Sequence, residues 1–510
     1  MGAATSGTKG AETADEAKAG EPVESSNLLP DADPEDALKP RFYDSLLKPA
    51  DVKPGESLEL PKEITALHLP RLLGAIHIIL FHFGGCCLNY SGISSWGNSW
   101  IYFFFVLSGF GAAHSIMLRG GVKEEDDGAF CGSILPSRRF GNVIGSPRHQ
   151  LKRWISVYPS YLCAFLLSLL MWALALRGTP YNPYDGWRIA LEGTMLDGFV
   201  PNRFINDHQY NKPAWYVSAL VGCWFFEPLI MRCAYACCNN AGQGNVPWMG
   251  LCLLILYTLA MPWVDYPYTW LYVPGWYDSK IPDATQHLHT YFFGALLAMY
   301  MHGRKAVGLP PLKGLATLAT LLILILFNMN YKWFVDEDGK DYAEDNEGRF
   351  KDSGFMTCLF AMLIAGLASG HDPLVRLINA LPEWFNKQAR NLATGVYLLQ
   401  EPMALASRLL VEDEDDRVAW ISTVVDEDTG KWNWPGVGDG AELGLLFALA
   451  FVGAFLMHHL VQQPIGNKLQ SWHASSFATK KVTLESPEGG SAPSAEPEGS
   501  DASAYVDPKA

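Results

Sequence analysis

Basic charge is scarce in this 510-residue chain: 38 lysines and arginines face 53 aspartates and glutamates, a formal net charge of −15. That balance argues against a nucleic-acid partner, which needs a basic face. The acidity is uneven, coming largely from the N-terminal tail and from loops at 336–347 and 412–428. Metal-ligand spacing is missing too. Six of the ten cysteines (Cys86, Cys87, Cys163, Cys223, Cys252 and Cys358) lie in or beside apolar runs. Cys233, Cys237 and Cys238 cluster with no histidine or acid at ligand spacing beside them. They read as buried small hydrophobes, with no metal. The opening MGAATSGTKGAETADEAKAGEP lacks an apolar h-region, which predicts that no signal peptide is cleaved. Met1-Gly2 followed by Ser6 fits the loose myristoylation pattern. No internal repeat is visible, which weighs against a transporter built from duplicated halves.

What is present is apolar sequence in long runs. The apolar fraction is an ordinary 49%, but it is concentrated. Runs of about 18 residues or more read as membrane spans. Ten are expected, at about 64–84, 98–118, 151–176, 214–236, 247–264, 287–303, 312–329, 354–370, 391–410 and 442–462. The expected fold is an all-α polytopic membrane helix bundle. It comprises a disordered tail over 1–60, a transmembrane domain over 61–472 and a second disordered tail over 473–510. Ten spans put both termini on one side. If that side is cytosolic, the inner loops carry Arg119, Lys123, Arg138, Arg139, Arg148, Arg304, Lys305, Lys313, Arg376, Lys387 and Arg390. The opposite loops at 330–352 and 411–440 are mainly acidic. The positive-inside rule therefore predicts cytosolic termini, without saying which membrane.

The first span, ITALHLPRLLGAIHIILFHFG, is apolar enough for a membrane yet holds Arg71, His77 and His82. Arg71 and His82 are eleven positions apart, which returns a helix to within about 20° of its starting face after about 16 Å of climb. A cation toward the cytosolic end and an imidazole deeper in thus share one stripe. Ionisable groups there are costly and mark function by default, although a snorkelling arginine and a core histidine are the plainer alternatives. His77, about 140° around the helix from His82, faces a neighbour and reads as structural. In the second span, Ser108-Gly109 offers a notch where another helix can come close. The third span opens with Lys152-Arg153 and continues to Tyr158-Pro159-Ser160-Tyr161, so Arg153 enters from the same side as Arg71. Two guanidinium groups at one level suit a polyanion such as a phosphate. Dense aromatics at 263–277 read as a headgroup belt or, alternatively, as a lid or sugar platform. His287 and His289 read as interface anchors, and His208 as surface.

The order of features is more specific than any one of them. RLLGAIHIILFH, then Trp96-Gly97, FFFVLSGF, KRWISVYPSY and PAWYVSAL follow one another, and GVYLLQEPM and VQQPIGNKL come near the end. This order resembles the acyltransferase 3 family of integral membrane acyltransferases over about residues 64–465. The resemblance implies transfer of an acyl group, usually acetyl, from cytosolic acyl-CoA to a hydroxyl of a carbohydrate or lipid acceptor. Acyl-CoA is then a co-substrate, no cofactor is bound, and membrane lipids surround the chain. His82 matches the family's essential histidine, Arg71 its paired arginine, and Arg153 the first arginine of the third span. Ser108, Tyr158, Trp215, Gln400 and Glu401 fall in supporting positions. An imidazole kept neutral by burial can take a proton from a hydroxyl. A cation beside the thioester can hold the donor and steady developing negative charge. An acyl intermediate on His82 or Ser108 is chemically open but not demanded.

Three positions depart from the family's pattern. Ser156 stands where a second arginine is usual, Leu220 where Trp-Ser-Leu-Ser-Val-Glu ends in an acid, and Gln400 where a histidine is common. Glu227 either replaces the lost acid or is a helix-end residue ahead of Pro228. Two competing classes stay open at this level: a transporter or flippase that moves an anion or proton along the stripe, and an inactive scaffold of the same fold.

Overall fold

The computed structural model describes residues 60–84, 96–118, 147–177, 186–200, 210–238, 248–258, 283–328, 354–411 and 439–476. Both outermost tails, the aromatic stretch at 263–277, His208, Cys86 and Cys87, and most of the charged loops lie outside the described residues. Among the described residues the regular structure is helical, with no strand.

The helices are α1 (His68–Phe83), α2 (Trp100–Met117), α3 (Pro147–Ala175), α4 (Gly186–Gly193), α5 (Trp215–Cys238), α6 (Trp248–Thr258), α7 (Leu288–Ala306), α8 (Leu315–Asn328), α9 (Gly354–Ala368), α10 (Pro373–Asn379), α11 (Glu383–Val411), α12 (Gly440–Met457) and α13 (Gln463–Ser476). A helix stands at each of the ten expected spans. Five stretches are long and apolar enough to cross a membrane: Thr65–Phe83, Gly97–Met117, Gln150–Ala175, Lys212–Cys238 and Gly440–His473. A sixth is the pair α9 and α10, bent by 66°. α8 is apolar but has 14 residues, about 21 Å of rise against a hydrocarbon core of about 30 Å. α11 is long enough at 29 residues, but it carries charge along its length. The last helix runs on to Ser476, beyond the expected start of the C-terminal tail at 473.

Local chemistry explains the breaks. Gly370 ends the α9 segment at φ +76°, a conformation glycine adopts without strain. Asp372 then caps α10, accepting from the Leu374 N–H at 3.0 Å, with Pro373 in the first helical turn. The same buried carboxylate accepts from Ala316 N at 2.9 Å and Thr317 Oγ1 at 2.5 Å, tying the bend to the start of α8. Asp439 caps α12 in the same way, and Arg408 of α11 pairs with Glu442 of α12 at 3.1 Å.

The expected notch in the second span is where α7 approaches. A Cβ added at Gly109 would meet the Tyr291 carbonyl oxygen at 2.0 Å, and one added at Gly294 would meet the Val106 carbonyl oxygen at 2.0 Å. Each backbone lies against the other's glycine, so α2 and α7 pack with their backbones in close contact. Outward stripes such as Leu318, Leu321, Leu324 and Ile325 of α8 are exposed, as lipid-facing surfaces require.

Candidate active site

α1 is held from two sides. Trp100 Nε1 of α2 donates to His77 Nδ1 at 2.8 Å, and the Phe327 ring meets the His77 imidazole edge-on at 4.9 Å. His77 is thereby part of the packing that orients α1. On another side lies α11. His82 Nδ1 is 2.8 Å from Gln400 Oε1, while Gln400 Nε2 donates to the Tyr397 carbonyl at 2.8 Å. Because the Gln400 amide nitrogen is committed to that carbonyl, its oxygen faces His82 and accepts a proton carried on Nδ1. The basic lone pair of the imidazole is then on Nε2. Gln400, one of the three departures, is fully buried and orients His82.

Arg71, about three turns below His82 on α1, lines a cavity of about 440 Å³. Ser108, Phe104, Tyr216 and Tyr397 line it too, and Ser108 Oγ lies 3.2 Å from the Tyr216 hydroxyl. Leu220, where the acid is missing, forms part of an apolar wall with Val157 and Val217. Glu63 stands on the lining beside His68, with one carboxylate oxygen 3.0 Å from His68 Nε2 and 2.5 Å from Arg390. Burial pushes the Glu63 carboxyl up, but the bonds from His68 and Arg390 outweigh it and hold the group below the usual carboxylate range.

Arg153 is not on that lining. Its guanidinium is paired with Glu227 of α5, lies 3.3 Å from the Tyr291 hydroxyl, and sits over the Trp224 ring at 5.7 Å. Glu227 is 0% exposed and is therefore the counter-ion of Arg153. Ser156, in place of the second arginine, bonds back to the Arg153 carbonyl at 2.6 Å. The two arginines that the sequence places at one level thus meet different surroundings.

The remaining motif residues support neighbouring elements. Tyr158 stacks on Trp154 at 3.7 Å and donates to the Gly193 carbonyl at 3.0 Å, fastening α4 to α3. The Trp215 ring lies 5.4 Å from His287, which stacks on Phe105 at 4.3 Å. His289 Nδ1 is 2.7 Å from the Tyr257 hydroxyl. The two histidines expected to anchor at the interface are thus engaged by neighbouring rings. Glu401 Oε2 accepts from the Lys212 N–H at 2.6 Å. Among the described residues, no group of three or more His, Cys, Asp or Glu could hold a metal ion.

Sequence reasoning missed Tyr216, Tyr397 and Lys212. The tyrosines sit inside the quoted motifs but look like ordinary apolar positions, and Lys212 looks like a loop lysine just outside one.

A family model described as an acyltransferase domain, that of the acyltransferase 3 family, matches residues 64–459. No curated protein and no solved structure matches the chain.

Proposed function

Because this chain belongs to the acyltransferase 3 family, a class of membrane acyltransferases, we propose that it moves an acyl group, acetyl in the usual case, from cytosolic acyl-CoA to a hydroxyl of a carbohydrate or lipid. One observation carries the reading: the same short helix gives Arg71 to a cavity of about 440 Å³ and His82 to a bond accepted by a fixed amide oxygen. Arg71 is the cation that holds the donor. The cavity lining includes Glu63, bonded to Arg390, a residue the positive-inside rule assigns to the cytosol, and acyl-CoA enters from there.

His82 Nε2 takes the proton of the acceptor hydroxyl as that oxygen attacks the thioester carbonyl. The C–S bond breaks, and the same proton passes to the departing thiolate, so the imidazole ends neutral. Nδ1, bonded to Gln400, keeps the ring in the tautomer this transfer needs. Ser108 and Tyr216 supply hydroxyls on the cavity wall beside Arg71. The helix bundle is a multi-pass membrane structure, and the donor and acceptor meet within it.

The test is transfer of label from [¹⁴C]acetyl-CoA to membrane carbohydrates and lipids by the purified protein, with products identified by mass spectrometry. His82→Ala should lower the rate by about 10²- to 10⁴-fold, the usual contribution of a general base. Wild-type rate in that variant would refute the assignment.

A further inference from the structure

The chain ahead of α1 forms part of the cavity wall: Lys62, Glu63 and Ile64 all lie on the lining. Its backbone is anchored. Leu60 is buried, and the Pro61 carbonyl accepts from His114 Nε2 at 3.0 Å. His114 Nδ1 in turn lies 2.9 Å from His302 Nε2 of α7. The Glu63 side chain is another matter. It is 51% exposed, so the cavity reaches the surface here, and a single oxygen, Oε1, takes both of its bonds. His68 Nε2 donates to that oxygen at 3.0 Å and Arg390 Nη1 at 2.5 Å.

Both donors stand on helix faces that line the cavity. On α11, Ala393, Thr394 and Tyr397 follow Arg390 at three, four and seven positions, one face of a helix, and all three are on the lining. On α1, His68 and Arg71 are three positions apart and both line the cavity. Lining and rim together carry three fixed cations, Lys62, Arg71 and Arg390, against one carboxylate, Glu63. The groups gathered around Glu63 Oε1 are donors, and they require an acceptor-only anion. Phosphate oxygens are acceptors of that kind, carry more charge, and suit a guanidinium fork. An ion pair as exposed as Glu63 with Arg390 is weak. A stronger anion displaces it by turning one side chain, with no movement of the anchored backbone.

Resting on acyl-CoA as the donor, we propose that Arg390 and His68 form a phosphate subsite at the rim of the cavity. Glu63 is its tethered occupant, displaced by a phosphate of the arriving donor and returning as spent CoA leaves.

The test is the Kd of CoA for the full-length protein in phosphatidylcholine nanodiscs at low ionic strength, by titration calorimetry. Glu63→Ala should tighten binding by up to about fivefold, the worth of an exposed ion pair. Arg390→Met should weaken it by about tenfold or more, the worth of a hydrogen bond to a charged group. Both side chains are about half exposed, so neither change threatens the fold. The gain from Glu63→Ala should shrink when Arg390 is already Met. An undiminished gain there means long-range repulsion without a shared subsite, and overturns the proposal. Pantetheine, which has no phosphate, should bind wild type and Glu63→Ala alike; a gain equal to that of CoA also overturns it. Dephospho-CoA tells which phosphate is held: a retained gain supports the diphosphate, a lost one the ribose phosphate. Phosphatidic acid added to the discs tests a lipid source, and a Glu63→Ala response confined to it overturns the assignment to CoA. Equal CoA affinity in all variants removes the subsite but leaves the acyl-CoA reading intact. Wild-type protein that binds no CoA refutes that reading and this proposal together.

Discussion

Replacing Glu227 with leucine separates two roles for Arg153. In the structure Glu227 is 0% exposed, and the Arg153 side chain is 18% exposed. Removing one partner of a buried ion pair leaves an uncompensated charge and costs about 3–5 kcal/mol. Part of that is recovered, because Arg153 keeps the Tyr291 hydroxyl at 3.3 Å and the Trp224 face at 5.7 Å. A partly desolvated cation–π contact is worth about 1–2 kcal/mol. The expected loss for Glu227→Leu is therefore at the low end, about 3 kcal/mol, and Arg153→Met should lose a similar amount by stranding Glu227. The double variant replaces the pair with apolar volume and should lie within about 1 kcal/mol of wild type. Unfolding by sodium dodecyl sulfate in mixed micelles measures all three. Additive losses would refute the pairing argument. The double variant also isolates the other role: if Arg153 contacts the donor, the KM for acyl-CoA rises in a protein of near-normal stability. If Arg153 only joins α3 to α5 and α7, KM stays put.

Two further outcomes follow from the packing and the buried acids. Gly109→Ala places a methyl group 2.0 Å from the Tyr291 carbonyl oxygen, a backbone atom that cannot swing aside. It should destabilise the bundle by about 3 kcal/mol or more, whereas Gly111→Ala, with nothing near its Cβ, should be neutral within about 0.5 kcal/mol in the same unfolding assay. Asp197, 4% exposed between α4 and α5, is lifted by burial from 3.8 to about 7. A raised carboxyl contributes stability that is present below the unfolded value and is lost as pH rises through the folded one. Unfolding followed from pH 4 to pH 8 should show that decline, and Asp197→Asn should flatten it. An equal slope in the variant would show that other groups cause it.

Much of the helical layout and part of the site were legible in the chain. Apolar length alone located a helix at every expected span. Five or six of them are long and apolar enough to cross by themselves among the described residues; α8 is short and α11 carries Glu383, Lys387, Arg390, Glu401 and Arg408. Hydropathy averages over a window and cannot tell a polar residue facing the bundle from one facing lipid. Periodicity put Arg71 and His82 on one stripe, since that relation is a property of a single helix.

Relations between helices were different. Nothing local indicates that Gln400 faces His82 across 318 positions. Nor does sequence show that Glu227 takes up Arg153, which lies off the lining of the cavity that holds Arg71. Lys212 carries no periodic signal, since its segment is held by Glu192 and Glu401 arriving from two other parts of the chain. The chain by itself determined which residues share a helix face, through the fixed geometry of 3.6 residues per turn. Only the tertiary structure decided which charges are neutralised and which imidazole nitrogen keeps its lone pair. Those depend on distances of a few ångströms between residues hundreds of positions apart.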